Sequence, residues 1–386
     1  MFSNLSNLQK GLLTTIIAIV VYAFSATISY SIFASSSTQS SKNLVNSLPG
    51  PVKNGEEDDG LPKTEECPLN GAMHSKKAKD AWEQRLPLAV MIENHQESRP
   101  QSGLTKADVV YETVAEGGIT RFMAMFLCNL SDIQVGPVRS VRTYFLDWLS
   151  EYPLTPIAHV GGANTPGPAN ALGQLVDYKL RSLNQFGIGF PTYWRDYQRL
   201  GRPVATEHTM YSTTHKLWAV ANKKSWTASD SAGIKWDKKF VPWDFKDDDV
   251  GSVTQQITVN FWNGYKDYVV EWNYDSTCNC YKRKNGGADH MDLNNNKQLS
   301  PKNIVIRFMK ESRANDGYEN NVHLIYANKG QGKGLLFQDG KVTEITWAKK
   351  NRLDREKFFL KNGKEVSFNR GQIWLQAVPE GAEVVY

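Results

Sequence analysis

The stretch LAVMI at residues 88–92 is an uninterrupted apolar run of strand length, and three similar runs follow it. They are VVY at 109–111, RFMAMFL at 121–127 and PIAHV at 156–160. Short continuous apolar runs of this kind are typical of strands that are buried inside a sheet. The sequence therefore predicts that a buried sheet begins near residue 86.

Helices are predicted between and after these strands. Apolar side chains recur at helical spacing behind Ser140, a potential N-cap, and they are Val141, Phe145, Trp148, Leu149 and Tyr152. A second helix is predicted over residues 169–176. Strands mixed with helices indicate a sheet covered by helices. We therefore expect residues 81–225 to form an α/β domain with a mixed sheet.

The second half of the chain has a different pattern. Residues 226–254 are polar and predict a connector, and the remainder reads almost entirely as strands. Asn285-Gly286, Asp339-Gly340 and Asn362-Gly363 each lie between strand-like runs, and such pairs favour tight hairpin turns. We expect residues 255–386 to form a smaller, mainly-β domain. The predicted fold class is therefore α+β, or mixed, in two domains.

The N-terminus carries a candidate membrane anchor. Residues 11–33 read GLLTTIIAIVVYAFSATISYSIF, without a charge or a proline. About 20 helical residues cross a bilayer. The sequence thus predicts a transmembrane signal anchor, with residues 1–10 in the cytoplasm and a globular body outside the cell. A cleaved signal peptide is the alternative, and it also exports the body. Residues 34–80 are rich in polar residues, which predicts a disordered linker.

Charge and cysteine content exclude several classes of protein. The net charge of +5 comes from scattered residues without a basic stripe, so no nucleic-acid partner is expected. Cys67 and Cys128 could pair in an exported body, whereas Cys278 and Cys280 are predicted to be unpaired thiols in a hairpin. No cysteine or histidine pairs stand at zinc spacing, and no phosphate or dinucleotide loop is present. We therefore predict neither a metal nor a cofactor.

Polar residues gather at the predicted strand ends of the first domain. Such ends converge on one rim of a sheet, where α/β proteins place their sites. The predicted ligand-binding residues are Glu93, His95, Arg99, Arg121, Arg139, Ser140 and Arg142. The candidate catalytic residues are Glu112, Glu116, His95 and His159.

Each assignment has an alternative. Arginines beside a helix start favour an anion site, but the same arginines can instead pair with Glu93, Glu112 or Glu116. The two histidines have the chemistry of acid–base groups, or they are hydrogen-bonded structural residues. Glu112 and Glu116 are candidates for a carboxylate pair in sugar chemistry.

Five stretches of the first domain resemble a known family. They are MIENH at 91–95, RPQSGL at 99–104, ADVVYE at 107–112, EGGITRF at 116–122 and GPVRSVR at 136–142. These motifs resemble the YerB-like DUF3048 family, whose members are described as lipoproteins of Gram-positive bacteria. WNYD at 272–275, YKR at 281–283 and NGG at 285–287 resemble the start of the family's C-terminal domain, and Gly363, Asn369, Gly371 and Trp374 resemble its end.

The resemblance implies a bacterial protein exposed at the cell surface, with two family domains and no assigned activity. Two departures stand out. The chain has an uninterrupted apolar span where members often carry a lipid-modified cysteine. It also has TEHT at 206–209 in place of a Pro-His-Asn-like stretch, so the resemblance assigns no role to His208.

Three hypotheses follow for the function. The first is a membrane-anchored envelope protein that binds an anionic cell-wall or lipid-linked group, or a partner protein. The second is a cell-wall glycan hydrolase or transferase that uses Glu112 or Glu116 with His95 or His159. The third is a structural scaffold, in which the arginines would be buried in ion pairs.

Overall fold

The computed structural model of the chain describes residues 59–251 and 255–386. Within these ranges the chain forms twenty-six strands and five α-helices. The helices are α1 Lys76–Trp82, α2 Thr143–Leu149, α3 Ala171–Asp177, α4 Gln185–Ile188 and α5 Thr214–Lys223. The coarse prediction of a mixed fold is confirmed, because the chain is mostly sheet with a few helices.

Eleven strands precede residue 252. They are β1 Lys63–Glu66, β2 Met73–Ser75, β3 Leu88–Glu93, β4 Val109–Glu116, β5 Ile119–Phe126, β6 Gln134–Val135, β7 Pro156–His159, β8 Arg181–Asn184, β9 Trp194–Arg195, β10 Met210–Thr213 and β11 Asp244–Lys246. The four apolar runs that begin the predicted sheet correspond to β3, β4, β5 and β7.

Fifteen strands follow residue 254. They are β12 Gln256–Asn260, β13 Val270–Asp275, β14 Cys280–Asn285, β15 Ala288–Asp289, β16 Met291–Asp292, β17 Lys297–Gln298, β18 Asn303–Met309, β19 Glu311–Arg313, β20 Leu324–Tyr326, β21 Gly330–Gln338, β22 Lys341–Lys349, β23 Lys357–Leu360, β24 Ser367–Asn369, β25 Ile373–Pro379 and β26 Glu383–Val385.

A ten-stranded mixed sheet runs through the described body in the order β23-β22-β21-β18-β25-β4-β5-β3-β7-β8. Strand β25 lies between β18 and β4 and is parallel to both, with Ile373–Gln376 opposite Val109–Glu112. Every residue of β25 before Pro379 is buried, as are the first seven residues of β4. Strands this apolar are stable only when both edges and both faces are covered. The predicted division at 226–254 therefore does not separate two sheets, because strands from both halves share this one.

Different layers cover the two faces of this sheet. Helix α2 lies on one face, where Trp148 stacks on Tyr111 with ring centroids 5.6 Å apart. A five-stranded sheet, β15-β14-β13-β12-β26, covers the other face, where Trp272 meets Trp374 edge to face at 5.4 Å. Large aromatic side chains bury much apolar area and so hold the layers together.

The predicted turns are only partly seen. Asp339 and Gly340 both have positive φ, at 57° and 67°, and they join β21 to β22 as predicted. Between β14 and β15, Gly286 and Gly287 have positive φ, and Asn285 pairs with Ala288. Glycine adopts positive φ without a steric penalty, so the turn lies one residue later than predicted.

The end of the predicted disordered linker is folded. Strands β1 and β2 form a hairpin, and α1 follows with Ser75 as its N-cap. Cys67 forms a disulfide with Cys128, and Leu69 is completely buried. The prediction of disorder up to residue 80 is wrong because a few apolar residues and one covalent link suffice to dock this segment. Residues 34–58 of the linker lie outside the described residues.

Two further sequence predictions concern cysteines and membrane spans. Cys278 and Cys280 form a disulfide, so the prediction of unpaired thiols is wrong. None of the helices found in residues 59–251 and 255–386 is long and apolar enough to cross a membrane. The predicted anchor at 11–33 and the cytoplasmic segment 1–10 lie outside these ranges.

Candidate functional site

The predicted site residues fall into separate groups on the two faces of the large sheet, and one partly exposed group surrounds Glu93. At its centre lies Glu93, the last residue of β3, whose backbone N–H donates to the carbonyl of Pro137 at 2.9 Å. One carboxylate oxygen accepts from Nε of Arg139 at 3.0 Å, and the other lies 2.8 Å from Nδ1 of His208. We call Glu93, His95, Glu97, Arg139 and His208 the Glu93 cluster.

Two imidazole rings lie face to face in this cluster. His95 stacks on His208 with centroids 4.7 Å apart and an interplanar angle of 9°. The hydrogen bond to Glu93 raises the pKa of His208, whereas burial, followed by the nearby His208, lowers the pKa of His95. Glu97, with 47% of its side chain exposed, brings a carboxylate oxygen to 3.6 Å from Nε2 of His208.

Glu116 binds two of the four predicted arginines, Arg121 and Arg142. Its carboxylate accepts from Nη2 of Arg121 at 3.2 Å and from Nε of Arg142 at 3.1 Å. Arg121 also donates to the carbonyl of Ser140 at 3.0 Å. Burial disfavours the charged carboxylate, but the two guanidinium groups outweigh it and hold the pKa of Glu116 well below its usual range. Glu116 is therefore no proton donor near neutral pH, and these arginines form the predicted alternative, an internal ion-pair network.

Glu112 is completely buried in a second network. One carboxylate oxygen accepts from Nη2 of Arg283 at 2.7 Å and Oγ1 of Thr120 at 3.0 Å. The other accepts from Nε1 of Trp374 at 2.8 Å and Nε2 of Gln376 at 3.0 Å. No solvent reaches this carboxylate, which fits a structural role.

The two glutamates of the predicted carboxylate pair lie on opposite faces of the large sheet. Glu112 lies opposite Phe122 of β5. Glu116 instead forms an ion pair with Arg121, the residue just before Phe122. Successive side chains of a strand point to opposite faces. A β-bulge between Val114 and Glu116 allows this change of face. The structure therefore does not bring Glu112 and Glu116 together.

His159 and Arg99 are both held in structural hydrogen bonds. Nδ1 of His159 lies 2.7 Å from the carbonyl oxygen of Gly161, so it carries the proton, and Nε2 accepts from the hydroxyl of Ser182 at 2.8 Å. Arg99 donates to Asn94 and, at 2.8 Å, to the carbonyl of Asp267. Burial lowers the pKa of His159 to about 4, so the ring is neutral at physiological pH.

This lowered pKa predicts a loss of stability in acid. An unfolded histidine takes up a proton near pH 6.5, whereas folded His159 resists it until about pH 4. The unfolded state therefore binds more protons between these values, and the stability present above pH 6.5 falls by up to about 3 kcal/mol as the pH drops to 4.

Urea unfolding at pH 7, 5.5 and 4 measures this effect. The free energies of unfolding of wild type and His159→Gln should converge as the pH falls. The exposed His215 offers a control, because His215→Gln should follow the wild type at every pH. A gap between wild type and His159→Gln that stays constant from pH 7 to pH 4 would contradict the prediction.

His208 is the functional candidate that sequence analysis missed. It follows Glu93 by 115 positions and lies in a short 3-10 turn, Thr206–His208, so no local spacing connects the two. The stretch TEHT at 206–209, which differs from the family pattern, was the available signal, but the resemblance assigned no role to His208 and β10 was not predicted.

Comparison with known proteins identifies the family. A model of the N-terminal domain of "protein of unknown function (DUF3048)" matches residues 73–227, and the model of its C-terminal domain matches residues 257–375. A Bacillus subtilis protein named "Putative lipoprotein YerB" is 29% identical over 328 residues, which cover 83% of this chain and 89% of that protein. The crystal structure of YerB from the same species aligns with a TM-score of 0.68 at 28% identity, over 84% of this chain and 100% of that one. The resemblance seen in the sequence motifs is thus confirmed, and the chain belongs to the DUF3048 family.

Proposed function

We propose that this chain is a membrane-associated binding protein outside the cytoplasm, and that Arg139 receives an anionic group of its ligand. One observation carries the proposal. The guanidinium of Arg139 is fixed through Nε on Glu93, 28% of the side chain is exposed, and its terminal nitrogens have no hydrogen-bond partner within residues 59–251 and 255–386. A guanidinium held at one edge can bind a carboxylate or phosphate through its open edge.

Two of the other predicted arginines are already bound within the protein. Arg121 and Arg142 have 3% and 9% of their side chains exposed, and both donate to Glu116. They are part of the scaffold, because both are largely buried and donate hydrogen bonds to that one carboxylate. Arg139 therefore takes the contact with the ligand, while its neighbours keep the rim of the sheet in place.

Disulfides and relatives support the location. Cys67 pairs with Cys128, Cys278 pairs with Cys280, and no free cysteine remains among the described residues. Disulfides persist in oxidising surroundings outside the cytoplasm. The relative named "Putative lipoprotein YerB" supports an association of this chain with a membrane. In this chain the apolar span at 11–33 would be the anchor. An anionic group of a cell-wall polymer or of an envelope protein is then the accessible ligand.

Replacing Arg139 by alanine tests the binding site. Hydrogen bonds to charged groups contribute about 1.5–3 kcal/mol each, so we expect Arg139→Ala to weaken binding about 10- to 100-fold. The full chain in detergent is titrated with purified cell-wall fragments that carry phosphate polymers, and binding is measured by cosedimentation.

Arg370 provides a matched control for this experiment. Its side chain is also 28% exposed and also paired with carboxylates, those of Glu66 and Asp247. Arg370→Ala should bind the fragments like wild type. Equal binding by wild type and Arg139→Ala, or no binding by wild type, would remove the proposal.

A further inference from the structure

The Glu93 cluster has the composition of a metal centre. A ring nitrogen of His95, a carboxylate oxygen of Glu97 and a ring nitrogen of His208 all lie within 4.8 Å of one another. The second group of potential ligands, Cys67, Asp108 and Cys128, is closed by its disulfide. We infer that His95, Glu97 and His208 form a site for a divalent transition metal such as Zn²⁺, with Glu93 as the outer partner that orients His208.

The contact between Glu93 and His208 is the strongest support. Nδ1 of His208 donates to a carboxylate oxygen at 2.8 Å, and each of the two side chains is only 5% exposed. With its proton on Nδ1, the ring presents the lone pair of Nε2 toward Glu97. Metal-ligating histidines almost always donate their other N–H to a carboxylate, carbonyl or water in this way. Arg139 holds the second oxygen of Glu93, so the orienting carboxylate is itself fixed.

The remaining two ligands have the freedom that metal entry requires. Zinc ligands lie about 2.0–2.2 Å from the ion, which brings donor atoms to roughly 3.5 Å from each other. The three ligand atoms now lie within 4.8 Å of one another, so a movement of about 1 Å brings them to the spacing of a zinc site. Glu97 is 47% exposed and His95 is partly exposed, whereas His208 is buried. His95 accepts one hydrogen bond, from the backbone N–H of Glu97 at 3.2 Å, and its other contact in the cluster is the stacked ring of His208.

The donor set indicates the class of metal. Imidazole nitrogens favour zinc, copper, nickel or iron, whereas magnesium and calcium prefer oxygen donors only. Two histidines and one glutamate leave a fourth position for water or another ligand, as in open zinc sites. The cluster also carries the negative charge of Glu97, which attracts a cation. The metal site does not depend on the proposed ligand of Arg139.

Metal binding is measured on the full chain in detergent after treatment with a chelator. Titration with Zn²⁺ alone, in competition with a chromophoric chelator, should show one equivalent bound per chain. We expect Glu97→Ala and His208→Ala to abolish this binding at micromolar Zn²⁺. Glu93→Gln should weaken it about 10- to 100-fold, as is typical for loss of an outer-shell carboxylate. Glu97 is exposed, so that variant should fold like wild type.

The chain contains a matched control. His323 also contacts a carboxylate, with Nδ1 2.7 Å from Asp316, and its ring stacks on that of Tyr318 at 4.3 Å. Within residues 59–251 and 255–386, however, His323 does not belong to a group of three potential metal ligands. His323→Ala should therefore keep the full equivalent of Zn²⁺. The inference is overturned if wild type takes up no stoichiometric Zn²⁺, or if Glu97→Ala and His208→Ala retain it. Arg139→Ala leaves His95, Glu97 and His208 in place, so this variant should still bind Zn²⁺. Failure of the proposed wall binding and failure of the metal site are therefore distinguishable.

Discussion

Glu112→Gln is expected to lower the free energy of unfolding by about 3–5 kcal/mol, the range for breaking a buried ion pair from one side. Glu112 and Arg283 are both 0% exposed, 2.7 Å apart. Glutamine keeps the shape of the side chain but removes its charge. The guanidinium of Arg283 then remains charged where water does not reach, because arginine cannot lose its proton in a protein. Urea unfolding at pH 7 measures the loss.

A second substitution separates charge from packing. Glu112→Gln combined with Arg283→Met removes both charges, and we expect it to recover a large part of the lost stability. Glu365, whose partner Lys357 is 41% exposed, serves as the control, and Glu365→Gln should cost about 0–1 kcal/mol. A loss of less than about 1 kcal/mol for Glu112→Gln would show that the network contributes no more than a surface pair.

Glu151→Gln is expected to have an effect of similar size, about 3–5 kcal/mol, at a different place. Glu151 binds Nζ of Lys349 at 2.8 Å and Nη1 of Arg355 at 3.1 Å, and all three side chains are essentially buried. Two buried cations thus lose one shared carboxylate. Arg355 keeps its contact with the ring of Trp243, 3.5 Å from the centroid, which limits the loss.

Urea unfolding at pH 7 measures the loss for Glu151→Gln as well. Glu365→Gln again serves as the control, because its partner Lys357 is 41% exposed. A loss of less than about 1 kcal/mol for Glu151→Gln would show that this carboxylate contributes no more than a surface ion pair.

The local structure of the chain could largely be predicted from its sequence. Continuous apolar runs predicted β3, β4, β5 and β7, because strands buried on both faces need no polar alternation. Helical spacing predicted α2, although the helix begins at Thr143 and Ser140 is not its cap. The position of a terminal residue depends on hydrogen bonds that periodicity does not show.

Long-range pairing could not be predicted. Gln376 contacts Glu112 across 264 positions, and no local pattern indicates that β25 pairs with β4 rather than with strands of its own half. The folding of residues 63–82 was missed for the same reason. Their stability comes from Cys128 and from buried contacts with distant segments, and it does not come from their own composition.

The placement of the candidate residues was predicted in part. Glu93, His95 and Arg139 lie together at the rim, as the motif positions suggested, and the ion-pair alternative holds for Arg121 and Arg142. Glu112 and His159 were catalytic candidates because of their residue types, yet burial leaves both without access to a substrate. Residue type gives the chemistry that a side chain can perform, whereas accessibility depends on the assembled layers.

The central place of β25 has a consequence for how the chain folds as it is synthesised. Until residues 373–379 are available, β4 and β18 each lack their parallel neighbour, and β4 presents a long apolar edge with unpaired amides. Such edges are templates for aggregation. The nascent N-terminal half therefore cannot reach its native sheet alone. Contacts this distant in sequence also make folding slow. A chaperone, or transport in an unfolded state, would protect the incomplete sheet during this interval.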